Sequence, residues 1–309
     1  MRQYITLDLG TTKSKISLVR DGRVIDSLKI SSSGESSDFT SALRAKIAEI
    51  LEKNKLSEKD IISILATGTM ASAEMGIYPL EHAVCPIGKD GIKKSAAAVS
   101  LPEISGIPFF ITRGVKVLEP DERAKDMMRG EESEIYGLRG DDSGEALYLL
   151  MGSHTKLVRV SGRGQITDIA TMLTGELASA LVSSTILRHS VSFEESELDG
   201  EYLSLGYKYA TENSIGEALF RVRVLRSNHR VGASEAYSFF IGALLSGEVG
   251  YVIRSGAPRV IISGNKHLKD AVAMLLSEHT DTDVMFISDE ESESAVSLGL
   301  VRIFEEENS

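Results

Sequence analysis

Tyr4-Ile5-Thr6-Leu7-Asp8-Leu9-Gly10-Thr11-Thr12-Lys13-Ser14-Lys15-Ile16-Ser17-Leu18-Val19 is the stretch on which the reading of this chain turns. An apolar strand runs into one carboxylate, a glycine and two hydroxyl residues follow, and a second strand of alternating character returns. Each residue type suits one ligand chemistry. Asp8 at a strand end can hold Mg²⁺, directly or through water, because magnesium prefers oxygen ligands and keeps several waters. Gly10 lets the backbone turn tightly and approach a phosphate. Thr11, Thr12 and the flanking amides can donate into an anion-binding concavity, and Lys13 and Lys15 add positive charge. An ordinary hairpin with a polar turn has the same outline, so the segment needs support from the rest of the chain.

That order of strand, acid, glycine, hydroxyls and strand resembles the phosphate-holding hairpin of the actin, heat-shock-70 and sugar-kinase superfamily, whose ligands are ATP and a divalent metal. Working outward, residues 4–9, 15–20 and 23–30 read as three strands, the last two joined at Asp21-Gly22. Asp38 to Lys53 carries Phe39, Leu43, Ile47, Ile50 and Leu51 at helical spacing, with Asp38 as the expected N-cap. Ile61 to Leu65, ahead of Thr67-Gly68-Thr69, and Pro108 to Ile111 read as further short strands.

The pattern then restarts. Ala146 to Leu150 leads into Met151-Gly152-Ser153-His154-Thr155-Lys156, Leu157 to Val160 returns, and Gln165 to Met172 follows a glycine turn. A helix is expected from Thr174 to Leu187, loops and short helices over 192–216, and one amphipathic helix from Ser234 to Val249. Arg259 to Ser263 and Val284 to Ile287 are expected strands. Lys266 to Glu278 and Ser292 to Phe304 are expected helices. A duplicated βββαβα unit is the skeleton of the superfamily. The expected fold is α/β, two actin-like (ribonuclease H-like) domains with a nucleotide cleft between them. Residues 1–120 would form the N-terminal domain, with the first phosphate loop and the acceptor side. Residues 121–309 would form the C-terminal domain, with the second phosphate loop and the adenosine site, the last helix packing back on the first domain.

Composition narrows the partners. The 309 residues suffice for two domains of ordinary size, and 42% are hydrophobic. With 34 basic and 45 acidic residues the net charge is −11, which argues against nonspecific nucleic-acid or membrane binding and requires a local cationic pocket for any anionic substrate. The single cysteine, Cys85, excludes an intrachain disulfide and a cysteine-based zinc cluster. It fits a cytoplasmic location, as does the lack of a signal-peptide pattern or an apolar run approaching about 18 residues. The six histidines show no metal-ligand spacing. There is neither a P-loop motif nor a dinucleotide fingerprint. A homodimer is left open.

Three motifs narrow the resemblance. Met128-Arg129-Gly130-Glu131-Glu132, Met151-Gly152-Ser153-His154-Thr155-Lys156 and Thr171-Met172-Leu173-Thr174-Gly175-Glu176-Leu177 occur in this order. They resemble the MRGEE, PGTHSKW and TxMTGEL segments of the 2-dehydro-3-deoxygalactonokinase family. The opening DLGTTKSK and the later segments Phe240 to Glu248 and Val260 to Asn265 are similar to that family as well. The resemblance implies phosphoryl transfer from ATP, with Mg²⁺, to the 6-hydroxyl of 2-dehydro-3-deoxy-D-galactonate or a related keto-deoxy sugar acid, a step of galactonate breakdown. A kinase for another sugar or sugar acid, and a non-kinase actin-like ATPase switch or sensor, are the alternatives.

Residue roles follow from the resemblance. Gly152, Ser153, His154, Thr155 and Lys156 would form the second phosphate loop, with His154 in a structural role and Lys156 adding charge near the transferred group. Positioning plus electrostatic stabilisation is what phosphoryl transfer needs. A sugar hydroxyl needs a carboxylate to orient it and take its proton. Glu131 is the first choice, Glu132 the second, and Asp126 and Asp168 are outside candidates, with Asp8 as the metal ligand. Acids at a helix start are also favourable through the helix dipole alone. Arg129 would pair with the substrate carboxylate or with a neighbouring acid, and Ser72 would line the acceptor site. Thr174 and Gly175 would face phosphate from a helix N-terminus, or simply cap it. Gly264 and Asn265 would border adenosine, or be an ordinary strand-to-helix junction.

The main departure from the family pattern falls in the first domain. Its GMxGSxxGWxxAPYxxxPA-like stretch corresponds here to Gly68 through Pro86, which keeps Gly68, Ser72 and Pro86 but has no tryptophan. Leu157 also stands where the family has tryptophan. The phosphate machinery is kept while the acceptor wall has changed.

Overall fold

The computed structural model describes residues 1–10, 14–30, 36–74, 76–121, 123–139, 144–194 and 197–305. The chain begins β1 (Gln3–Leu9), β2 (Ser14–Arg20), β3 (Arg23–Ile30), α1 (Ser36–Lys53), β4 (Ser63–Gly68). It continues β5 (Ala83–Val84), α2 (Lys89–Ser95), β6 (Ala97–Val99), β7 (Phe109–Ile111), β8 (Val115–Leu118), β9 (Ala124–Met128) and α3 (Glu131–Leu138). Then come β10 (Ala146–Met151), β11 (Thr155–Val160), β12 (Ile166–Met172), α4 (Thr174–Ser184), α5 (Gly200–Glu212), α6 (Ile215–Val224), α7 (Ala233–Leu244) and α8 (Ser246–Ser255). The chain closes with β13 (Arg259–Gly264), α9 (Lys266–His279), β14 (Asp283–Phe286) and α10 (Asp289–Phe304).

Among the described residues the strands form a six-stranded sheet in the order β3-β2-β1-β4-β7-β6, a five-stranded sheet in the order β12-β11-β10-β13-β14, and a small sheet β5-β8-β9. In both larger sheets an antiparallel meander of three strands is extended by a parallel strand beside its first member. This is the duplicated actin-like arrangement the sequence points to. Two compact units are present, 1–144 with 159–169 and 290–309, and 145–158 with 170–289.

In the first unit, β1 buries Ile5, Leu7 and Leu9 with Ile16 and Leu18 of β2, Ile64 of β4, and Leu43, Ile47 and Ile50 of α1. The helix α1 starts at Ser36, so Asp38 lies within its first turn rather than ahead of it. Helix α10 also belongs to this unit. Thr6 Oγ1 donates to Ser297 Oγ at 2.8 Å, and Phe304 packs edge-on against Tyr4 and Phe110. It crosses α3 backbone to backbone: a Cβ on Gly137 would meet the Ala295 carbonyl, and one on Gly299 the Ser133 carbonyl. Arg302 then donates to the carbonyls of Tyr136, Gly137 and Arg139 at the end of α3. That docking fixes the helix whose first residues are Glu131 and Glu132.

In the second unit, Leu147, Leu149 and Met151 of β10 pack with Leu203 of α5, Phe239 and Phe240 of α7, and Val260 and Ile262 of β13. Helix α5 occupies much of the region read as loops and short helices. Asp199 caps it by accepting from Tyr202 N at 2.9 Å, and Leu203, Gly206, Tyr207 and Ala210 supply its buried stripe. The helix expected over 234–249 is broken at Leu245 into α7 and α8, bent by 43°. Ser246 Oγ donates back to Ala243 O at 2.7 Å, and Gly247 follows, a pairing that loosens a helix. No single helix among the described residues is long and apolar enough to cross a membrane.

Candidate active site

The two units end their central strands with the same device. In the first, β1 and β4 run parallel with Leu9 opposite Gly68; in the second, β10 and β13 run parallel with Met151 opposite Gly264. Gly68 has φ +72° and Gly264 φ +106°, and a Cβ on either would collide with the carbonyl of the residue opposite. Only glycine satisfies both the conformation and the close approach. Leu9 and Met151 are the residues immediately before the two loops read as phosphate-binding. Gly10 O accepts from Ser14 Oγ at 3.2 Å, while Thr11, Thr12 and Lys13 lie outside the described residues.

Asp8 stands one residue before the end of β1, opposite Lys15 of β2 and Thr67 of β4. Burial pushes its carboxyl up to about 6; Lys15 opposes that rise and Glu131 adds to it. Lys15 also donates to Glu293 O. Glu131, the first acid of α3, is thus near enough to act on the strand-end acid. Glu131 is half-buried, and its Oε2 accepts from Arg129 N at 2.9 Å.

Glu132 is fully buried and differently engaged. It accepts from Gly130 N at 2.7 Å, Thr112 Oγ1 at 3.1 Å and Thr67 Oγ1 at 3.2 Å, and Thr112 Oγ1 also lies 2.7 Å from Thr67 Oγ1. Burial pushes it up to about 7, with Glu131 adding to the rise and the hydrogen bonds opposing it. An acid whose folded pKa exceeds its unfolded one favours the folded state below the unfolded value. That advantage is lost as pH rises through the folded value. Glu132→Gln keeps an acceptor for Gly130 and can donate to the threonines, yet cannot ionise. The rise from 4.5 to about 7 corresponds to roughly 3 kcal/mol. Denaturant unfolding of both proteins should therefore give curves that diverge between about pH 4.5 and 7, the variant gaining by a few kcal/mol at the alkaline end. Parallel curves would show that Glu132 does not titrate in this way.

Arg129 turns inward along the first unit. Its guanidinium donates to the carbonyls of Ala71 and Leu80, the latter at 3.2 Å, and lies 3.2 Å from the His82 ring. It therefore clamps the altered acceptor stretch to the Gly130 corner, where the sequence suggested an acid or substrate carboxylate. Within that stretch Ser72 Oγ accepts from Glu74 N at 3.3 Å. Asp168 pairs with Lys125 at 2.7 Å, and Asp126 accepts from Met127 N at 2.7 Å.

In the second unit, Gly152, Ser153 and His154 form the turn between β10 and β11, and the start of α4 is seated on it. Glu176 N donates to Ser153 O at 2.9 Å, and His154 Nε2 lies 2.5 Å from Glu176 Oε2. A side chain on Gly175 would meet the Gly152 carbonyl. Thr155 and Thr174 are buried rather than presented to a ligand, and Thr174 Oγ1 donates to Glu248. Lys156 is 7% exposed, with its ammonium 2.8 Å from Thr171 Oγ1. Asn265 caps α9 by accepting from Leu268 N at 3.3 Å, and its own N–H donates to Met151 O at 2.7 Å. The sequence reading missed Thr67, Thr112, His82 and Glu248. Glu248 had a signal: an acid on the same helical stripe as Leu245, Val249 and Val252, all buried.

Known proteins resemble this chain in sequence and fold. The model of the family described as 2-keto-3-deoxy-galactonokinase matches residues 8–303. A Rhizobium meliloti (strain 1021) protein named "Probable 2-dehydro-3-deoxygalactonokinase DgoK1" is 25% identical over 256 residues, 80% of this chain and 79% of that protein. The 2-dehydro-3-deoxygalactonokinase of Escherichia coli (strain K12) is 24% identical over 247 residues, with the same two shares. The crystal structure of a Sinorhizobium meliloti protein assigned by its title to that activity superposes with a TM-score of 0.79 at 23% identity, covering 97% of each chain. With its duplicated fold, its strand-end acid and a family match that runs from Asp8 to Ile303, this chain belongs to the 2-keto-3-deoxy-galactonokinase family.

Proposed function

We propose that this protein transfers the γ-phosphoryl group of ATP to the 6-hydroxyl of 2-dehydro-3-deoxy-D-galactonate or a closely related keto-deoxy sugar acid. The observation that carries the reading is the acid Asp8 at the end of β1, just ahead of the first loop, in a chain whose family match begins at that residue. The names of the relatives point to the same acceptor.

Among the described residues no three histidine, cysteine or acidic side chains gather as a metal cage. Mg²⁺ needs none, since it is commonly held by one or two carboxylates together with phosphate and water. Asp8 fits that role, and Mg²⁺ bound there would neutralise charge on the phosphates. Glu131 orients the acceptor hydroxyl and takes its proton as the oxygen bonds to the γ-phosphorus; the bond to the β-phosphate oxygen breaks and ADP leaves. Glu132, closed in by Gly130, Thr67 and Thr112, holds the corner from which Glu131 projects. Arg129 fixes the Ala71 to His82 segment that carries the changed acceptor wall. The turn Gly152 to His154 receives phosphate with its backbone amides, and Lys156 beneath it contributes positive potential.

The experiment is incubation with Mg·ATP and 2-dehydro-3-deoxy-D-galactonate, with the product examined by phosphorus NMR. A phosphomonoester coupled to the protons at C6 is expected. Inorganic phosphate alone would contradict the reading.

A further inference from the structure

Glu248 is a buried acid that the phosphoryl-transfer reading leaves without a task. It lies in the first turn of α8 and is 0% exposed. Its Oε1 accepts from Thr174 Oγ1. Its Oε2 is buried beside Thr155, and by distance and angle neither that oxygen nor the buried Thr155 Oγ1 has a hydrogen-bond partner among the described residues. A buried carboxylate oxygen without a hydrogen bond is a costly arrangement in a protein interior. A proton on the carboxyl relieves that cost by removing the charge, and the neutral group can still accept from Thr174 and share a hydrogen bond with the Thr155 hydroxyl in either direction. Thr155 is the first residue of β11 and Thr174 the first of α4, so a neutral Glu248 joins the two elements that flank the second loop.

We propose that Glu248 is a positioning residue for nucleotide binding: its neutral carboxyl braces Thr155 and Thr174 from inside, holding the Gly152 to Lys156 loop against α4, and its ionisation weakens the hold on ATP. The inference rests on the kinase reading above. A negative charge behind the loop opposes the polyphosphate in front of it. Burial holds the Glu248 carboxyl above the usual range, with the hydrogen bond from Thr174 opposing the rise. Among the ionisable groups on the surrounding elements are Lys156 of β11, bonded to Thr171, and Glu176 of α4, paired with His154. Tyr148 stands on β10, Arg254 further along α8, Tyr207 on α5 and Lys269 on α9, the last bonded to Ile287 O and Asp289.

The test is the dissociation constant of Mg·ATP measured by calorimetry across pH, together with turnover on the sugar acid. In the wild-type protein affinity falls as pH rises through the titration of Glu248, by up to about tenfold per pH unit. Glu248→Gln keeps a donor and an acceptor but cannot ionise, so that limb of its curve is flat, and at acid pH it binds within about twofold of wild type. Glu248→Leu raises the dissociation constant about tenfold at every pH, with the KM for the sugar acid little changed. Parallel wild-type and Glu248→Gln curves would overturn the proposal, whether or not Glu248→Leu folds. Normal affinity in a folded Glu248→Leu protein would do the same. The expected curves without phosphoryl transfer to any sugar acid would sink the kinase reading and leave the role of Glu248 standing. No binding of Mg·ATP by wild type would overturn both.

Discussion

Asp8→Asn is expected to lower kcat by roughly 10³-fold or more, the scale of losing a preorganised charge at a phosphoryl-transfer centre. The substitution is nearly isosteric and keeps an oxygen at the end of β1. What it removes is the negative charge that a divalent cation requires. The fold should tolerate it well, because the amide replaces a carboxyl that burial already disfavours. A thermal midpoint at or above that of wild type, together with lost turnover, would separate a missing metal ligand from a damaged strand. Full activity in Asp8→Asn would remove Asp8 from the site.

Glu131→Gln is expected to lower kcat by about 10²- to 10⁴-fold, the usual contribution of a general base, with KM for ATP changed only a few-fold. Glu132→Gln should cost less than about tenfold, since a side chain with no exposed surface supports its neighbour and cannot reach a substrate hydroxyl. The two acids are adjacent and share one corner, so the comparison is internally controlled. The reverse ranking would make Glu132 the base and require the Thr67 and Thr112 hydroxyls to part from it during the reaction.

The strands around both loops were legible because they alternate cleanly or run apolar and are closed by glycine turns. Asp21-Gly22, for example, takes positive φ at both residues, as a tight hairpin demands. Asp8 and Glu131 could be linked only through motif order, because 123 residues of chain separate them. Less could be read where short-range pattern and long-range packing part company. The sheet β5-β8-β9 is built from strands of two to five residues, too short for a period to emerge. Arg129 was read as a partner for a substrate carboxylate or a neighbouring acid; Glu132 does act on it, and its guanidinium also reaches carbonyls in a segment about fifty residues upstream, which no local pattern announced. Thr155 and Lys156 followed the phosphate-loop motif, yet strand alternation and the Thr171 hydroxyl draw them inward. Glu248 sat on an apolar stripe with its partner Thr174 on another element, so its contacts emerged only with the packing.

The account rests above all on acceptor-dependent transfer, and the most direct measurement is ADP release by the wild-type protein with Mg·ATP across a panel of 2-keto-3-deoxy sugar acids. Release that depends on 2-dehydro-3-deoxy-D-galactonate or a near relative, and is lost in Asp8→Asn, is the predicted result. ADP release that proceeds at the same rate with no sugar acid present would contradict it.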